Sequence, residues 1–509
     1  MVKPSLPLIR RLLVPLILLL YTHAQASETV SRDDVAWLRR DGFGVDSALL
    51  ASYRQLGRER LLDDQISDRI PNTLPPAIAA LIASYPAINT PMEQLLAQHR
   101  QAQVRIQAMP AGDAQADARR ALQQQGNELA QQARQAVLLR AVYGANPLKE
   151  QMVWFWLNHF SVYAPKARVR WALVDYEQRV IRPHALGKFR DLVLATLKSP
   201  AMLEYLDNAQ NARDHVNENY ARELMELHTL GVDAGYGQQD VEALARILTG
   251  VGLAPVDGRV ERFGPKLAPL MVREGLFEFN PRRHDFGDKV LLGQKIKGSG
   301  FDEVEQAVDL LVRQPACARF VSRKLAEYFV ADQPPPALIE RMARSFQRSD
   351  GDIAQVLRTL FTSRELMESA GGKFKDPYQF VVSAMRQAYD GKPIANALPL
   401  VNWLNQLGEP LFGRITPDGW PLDGASWSSS GQLESRFEVA RNIGYGNSRL
   451  FTPEGASQAT PGFPLLTTPL YYEAIAPYLS EGTRKGLAQA NSPQEWNALL
   501  LSSPDFAYR

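Results

Sequence analysis

Apolar residues recur along this chain at spacings of three and four, the period of a helix face, far more often than they alternate. Val35-Ala36-Trp37-Leu38 leads to Gly42-Phe43-Gly44, and Asp46-Ser47 then caps a further helix, because a short polar side chain ahead of an apolar run accepts amides of the first turn. Residues 113 to 143 read as one long Ala/Gln/Arg helix. Ala121-Leu122, Leu129, Val137-Leu138-Leu139 and Val142 form a stripe that widens toward the C-terminus, as a helix running from solvent into the core would. Its glutamines form a solvated face rather than a low-complexity tract, since Ala and Leu recur among them at helical spacing. Gly and Pro cluster between residues 250 and 300, which predicts irregular backbone or short strands. Helical periodicity resumes from Phe301 to about Ser369, with Pro334-Pro335-Pro336 between two helices. The tail from 373 mixes helices with a loop-rich stretch around Pro417 to Gly431. No repeat and no run of alternating strands is present. The predicted class is mainly α: a multi-helix globular array with an irregular Gly/Pro-rich insertion. The expected division is an N-terminal helical region over 27–145, a signature region over 146–300 and a C-terminal helical region over 301–509, with 27–509 forming one compact unit.

The first 26 residues have the layout of a secretory signal. Lys3, Arg10 and Arg11 are a basic segment, Leu12 to Tyr21 is apolar, and Ala24-Gln25-Ala26 is a small-x-small cleavage site. The apolar run is shorter than the roughly 20 residues a membrane span needs. The mature chain is expected to begin at Ser27 and to be periplasmic or secreted. Arg10-Arg11-Leu12-Leu13 could serve a twin-arginine route, but Ile9 stands where a polar residue is usual, which favours general secretion. Cleavage lowers the basic residues from 57 to 54 against 55 acidic ones, a net charge of −1. That balance argues against nucleic acid or an anionic membrane surface as principal partner. Cys317 is the only cysteine, so no internal disulfide can form, and its setting in Ala316-Cys317-Ala318-Arg319-Phe320-Val321 is that of core filler.

One stretch concentrates ionisable groups among residues that would normally be buried. Asn217 to Asp233 reads as a helix bearing Glu218, Arg222, Glu223, Glu226 and His228 among Tyr220, Leu224, Met225, Leu227 and Leu230, stopped by Gly231. Desolvating an unpaired ion costs several kcal/mol, so such a helix implies either an ion-pair network or a site.

These residues fall within a wider pattern that resembles the bacterial domain-of-unknown-function family 1800 over nearly the whole mature length. Its blocks here include Arg39-Arg40-Asp41-Gly42-Phe43-Gly44, Trp154-Phe155-Trp156-Leu157-Asn158-His159-Phe160, Arg182-Pro183-His184-Ala185-Leu186-Gly187-Lys188-Phe189 and His284-Asp285-Phe286-Gly287-Asp288-Lys289. The resemblance implies an exported, largely helical protein that often occurs beside a second exported family, and it brings no activity with it. Leu157 stands where the family commonly has a second histidine, so that position is not expected to be a ligand. The blocks retain His159, His228 and His284 of the seven histidines.

On a regular helix Glu223 and Glu226 share a face, while His228 lies about 160° from Glu223. Glu223 with Glu226 is therefore the expected pair, joined by His159 or His284 from elsewhere. That set would suit Zn, Mn or Fe as a divalent metal site. The same carboxylates could instead share a proton as an acid/base pair, with His228 and Asp285 as further catalytic candidates. Against this stands a purely structural reading: Arg222 pairing with Glu218 or Glu226 at i,i+4, and His228 favouring the helix C-terminus. No G-x-S-x-G, H-E-x-x-H, Walker loop or C-x-x-C is present, which removes the commonest hydrolase, protease and nucleotide classes. Two functions are expected to compete. One is an exported enzyme with a carboxylate/histidine pocket acting on an envelope or extracellular substrate by hydrolysis or oxidation. The other is a non-catalytic exported binding or assembly protein working with a separately encoded partner.

Overall fold

The apolar drift along residues 113 to 143 becomes a single helix, Asp113–Tyr143, largely exposed as far as Glu128 and mostly buried from Leu129 onward. The computed structural model describes residues 30–256, 259 and 261–509; the expected signal segment lies outside them. Asp46 caps the helix Ser47–Ile66 by accepting the Leu49 amide at 2.8 Å. Helix accounts for 59% of the described residues and strand for 4%, which makes the class mainly α.

The Gly/Pro-rich insertion carries the strands. Val251–Leu253, Phe277–Phe279 and Val272–Glu274 form a three-stranded antiparallel sheet with Phe277–Phe279 in the centre. Lys289–Leu291 pairs with Gln294–Ile296 in a separate hairpin. Each strand is three residues long, too short to order a sheet alone, so packing against the helices must hold them. The proline run separates the helices Pro315–Phe329 and Pro336–Arg348, each of which opens on a proline whose missing N–H would have had no partner there.

One contiguous apolar cluster includes buried side chains from Val30 to Phe506. Cys317 is fully buried in it, and burial pushes its thiol pKa up, away from reactivity. Two polar devices brace the helices around the site described below. Arg182 holds Glu150 with two bonds of 2.6 and 2.9 Å and Glu177 at 2.6 Å, all three side chains being almost wholly buried. At the other end, the terminal residue Arg509 pairs backbone to backbone with Lys373, donates to Gln151 Oε1 at 2.8 Å and lies 4.8 Å over the Tyr328 ring. Gln151 belongs to the helix Pro147–His159 and Tyr328 to Pro315–Phe329, so the last residue ties those two helices together. Among the described residues no helix is long and apolar enough to cross a membrane.

Candidate functional site

The ionisable stretch forms a helix, but not a regular one. It runs as α-helix over Asn219–Glu223 and continues as a π-helix over Leu224–Thr229. The Leu230 amide reaches the Met225 carbonyl at 2.8 Å, and the Thr229 hydroxyl reaches the Leu224 carbonyl at 2.6 Å, both spanning five residues. The wider turn changes the phase assumed for a regular helix, and π-turns of this kind concentrate at functional sites. Gly231 then ends the helix at φ +85°, and a Cβ there would stand 2.9 Å from the Phe320 ring. Only glycine fits both the backbone and the close approach.

The π-turn drives His228 into the core, with no exposed surface and neither ring nitrogen engaged. Burial, with the charge of Lys324 added, lowers its pKa to about 3. Its carbonyl is among the last of the helix and has no partner within it. His159, 2% exposed at the end of Pro147–His159, supplies one through Nε2 at 3.0 Å, leaving its own Nδ1 without a partner. Burial and then Lys324 push the His159 pKa well down as well. Two neutral imidazoles, with ring centres 6.0 Å apart, therefore sit behind a lysine.

That lysine opens onto a cavity of about 420 Å³ lined by Lys324, Glu327, Asp332, Asp418, Trp420 and Asp423. The loop forming its far wall is pinned to the histidine helix. Asn158 Nδ2 donates to the Trp420 carbonyl at 2.9 Å and Asn158 Oδ1 accepts the Trp420 amide at 2.6 Å. Gly419, at φ +77°, lies so close to the Asn158 carbonyl that a Cβ would stand 2.2 Å from it. Lys324 Nζ and the carboxylates of Glu223 and Glu327 have no hydrogen-bond or ion-pair partner among the described residues. The amine lies over the Phe320 ring, with Nζ 5.7 Å from its centre.

The carboxyl groups are not equivalent. Burial, then Glu226 and Asp418, raises the Glu223 pKa. Burial likewise raises that of Glu327, against the pull of Lys324. Asp418 goes the other way: partial burial opposes its charge, but hydrogen bonds from Arg414 and Thr416 outweigh that and hold its pKa down. Carboxyls pushed apart in this manner can divide acid and base roles. Arg222 is occupied elsewhere, by Glu218 at 3.0 Å, Glu226 at 3.4 Å and Gln238 at 2.9 Å. The structural pairing expected for Arg222 is thus present, and it takes up Glu226 while leaving Glu223 out.

Four expected metal ligands are not gathered. His284 Nδ1 faces the Thr249 carbonyl at 2.7 Å, and Nε2 faces Glu303 Oε1 at 2.8 Å. Glu303 also takes Lys289 at 2.6 Å and the Ser299 and Gly300 amides, capping the helix Phe301–Val312. Asp285 pairs with Arg246 at 2.7 Å, and that bond in particular keeps its pKa low. His284 and Asp285 therefore staple the hairpin to neighbouring helices and share no partner with His159, Glu223 or Glu226. Among the described residues no three His, Cys, Asp or Glu side chains stand together as a metal-binding group. The reason is local: every His284 nitrogen is already used, His159 spends Nε2 on a carbonyl, and the π-turn buries His228 away from the half-exposed carboxylates.

Sequence reasoning missed Lys324, Glu327, Asp418 and Trp420. The first two interrupt the apolar stripe of Pro315–Phe329, the same signal that singled out Glu223 and Glu226. The other two lie in the stretch from Pro417, read only as a loop, and nothing in their spacing ties them to a histidine some 260 residues earlier.

No curated protein and no solved structure matches this chain. The family model described as "Protein of unknown function (DUF1800)" matches residues 36–508, nearly the whole length, and the chain belongs to that family.

Proposed function

We propose that the protein is an exported enzyme whose catalytic pocket is the cleft between the Pro315–Phe329 helix and the Asp418–Asp423 loop. It acts by acid–base chemistry on an extracellular or envelope-derived substrate, through hydrolysis or oxidation. One observation carries this reading: Lys324 and Glu327 line one cavity without hydrogen-bond or ion-pair partners, Glu223 stands within electrostatic reach of Asp418 on its wall, and His228 lies behind them with neither nitrogen engaged. Arg182, by contrast, is held by both Glu150 and Glu177. Unsatisfied, perturbed groups in a cleft are the mark of a site. The test is turnover of envelope polysaccharides and extracellular small molecules by the mature chain, beside Glu223→Gln and Glu327→Gln. The expected result is loss of about 100-fold or more in at least one folded variant. Equal turnover by wild type and both variants would remove the pocket.

A second reading, assembly with a separately encoded exported protein, is favoured by a separate groove of about 660 Å³ among Phe437, Arg441, Tyr445, Leu487, Glu495 and Leu499. Phe437 is 51% exposed and Tyr445 41%, unusual for such large apolar groups. Charging the groove with Phe437→Asp would break a complex without touching the cleft, and an undiminished biological role in that variant would dismiss this reading.

A further inference from the structure

We propose that Lys324 is an amine nucleophile that captures a neutral aldehyde or ketone, such as the open-chain form of a reducing sugar, as an imine in the cleft. This rests on the reading of the cleft as a catalytic pocket and names its substrate class.

The placement of the amine is the first argument. Lys324 lines the cavity, half-buried, and its Nζ makes neither a hydrogen bond nor an ion pair among the described residues. An ammonium withdrawn from water with no hydrogen-bond or ion-pair partner is costly, and the cost falls on the charged form. The pKa of Lys324 accordingly drops to about 8, with burial as the main cause and Glu327 and Asp418 only partly offsetting it. At about pH 7 the neutral, nucleophilic fraction is then roughly two orders of magnitude above that of an ordinary lysine. The imidazoles of His159 and His228 behind it carry no charge that would repel or replace it.

The second argument is the acid beside it. Glu327 follows Lys324 by three residues on one helix, so the two side chains share a face. Burial raises the Glu327 pKa, which favours the protonated form that imine formation needs. The Lys324 nitrogen lone pair attacks the carbonyl carbon and a C–N bond forms. The carbonyl oxygen takes up the proton that the nitrogen loses, giving a carbinolamine. Glu327 then donates its proton to that hydroxyl, water leaves, and the nitrogen lone pair closes the C=N bond as an iminium. No oxidant or reductant is required.

Charge and shape select the substrate. Asp332, Asp418 and Asp423 surround the cavity and disfavour anionic oxo acids, while Trp420 offers an aromatic surface suited to a sugar. A volume of about 420 Å³ accommodates a small ligand.

The experiment is reductive alkylation of the full mature chain with glyceraldehyde and cyanoborohydride at about pH 7, followed by peptide mapping. Lys324 is expected to be modified more than about tenfold faster than exposed Lys485, as its larger neutral fraction requires. A Lys324 rate equal to or below that of Lys485 overturns the proposal. With anionic glyoxylate in place of glyceraldehyde the preference for Lys324 should shrink, and an undiminished preference would overturn the assignment of a neutral substrate. Glu327→Gln should slow labelling of Lys324 and leave Lys485 unaffected; an unchanged Lys324 rate removes Glu327 as the acid. Labelling needs no turnover, so an unreactive Lys324 in an active enzyme defeats this inference alone. Absence of any activity leaves a reactive Lys324 standing.

Discussion

His159 donates Nε2–H to the backbone carbonyl of His228 at 3.0 Å, joining residues 69 positions apart. The acceptor is a carbonyl, so the proton must reside on Nε2 and Nδ1 is left as a bare acceptor. The bond exists because the π-turn ends a helix whose last carbonyls lack partners. It fixes the tautomer of one imidazole and seals the other in the core.

Acid should loosen this arrangement. A histidine with a folded pKa near 3 and an unfolded value near 6.5 favours the fold only while neutral, so its stability is complete above the unfolded value and lost as pH falls toward the folded one. The protein is expected to lose of the order of a few kcal/mol from this group between about pH 6.5 and 3. His228→Leu, which forfeits no hydrogen bond by the ring, should flatten that part of the profile. Melting curves of both forms across this range check it, and identical acid slopes would refute it.

Glu223→Gln and Glu226→Gln should differ. A carboxyl whose folded pKa is raised contributes stability below its unfolded pKa and loses it as pH rises through the folded value, so ionised Glu223 is a burden at neutral pH. Removing its charge should leave the melting temperature unchanged or higher at about pH 7, with the gain vanishing below about pH 4. Glu226→Gln gives up a partly exposed pair with Arg222 and should cost no more than about 1 kcal/mol. Scanning calorimetry at the two pH values separates them.

Arg182 should be among the most sensitive charged positions. Arg182→Met leaves Glu150 and Glu177 buried without their main cation, for a loss of about 3–5 kcal/mol. Arg222→Ala, on a partly exposed face, should cost about 1 kcal/mol or less. Chemical denaturation of the two variants gives the comparison.

Arg509→Ala should weaken the fold although it removes only the last side chain. Arg509 is 3% exposed and its guanidinium bridges Gln151 to Tyr328, so its loss leaves Gln151 short of one donor. A cost of about 1–3 kcal/mol is expected. Because both bridged helices carry site residues, Lys324 labelling by glyceraldehyde should also lose selectivity, which the mapping experiment reads directly.

Export is checked at the N-terminus. A reporter fused to residues 1–30 should reach the periplasm cleaved after Ala26, and a product retaining Leu12 to Tyr21 would identify an anchor instead.

The fold class was legible because helical periodicity, caps and proline boundaries are local. Asp46 caps its helix through its own third following residue, the stripe over 113–143 needs only its neighbours to show which end is buried, and glycine and proline over 250–300 exclude long regular elements. The Arg222 pairs were legible for the same reason, being one helical turn apart. What the sequence could not determine was which distant groups meet. A regular helix and a π-turn share the same residue string, and the difference rests on Thr229 reaching the Leu224 carbonyl and on Gly231 passing the Phe320 ring. His284 and His159 look alike in sequence, yet Glu303 and Thr249 consume both nitrogens of one while the other keeps Nδ1 unengaged. The cleft exists because Asn158 pins Trp420 from 262 residues away, a contact that only long-range packing could make. Local chemistry chose the helices; burial and its unpaired charges, decided in three dimensions, set where the candidate site lies.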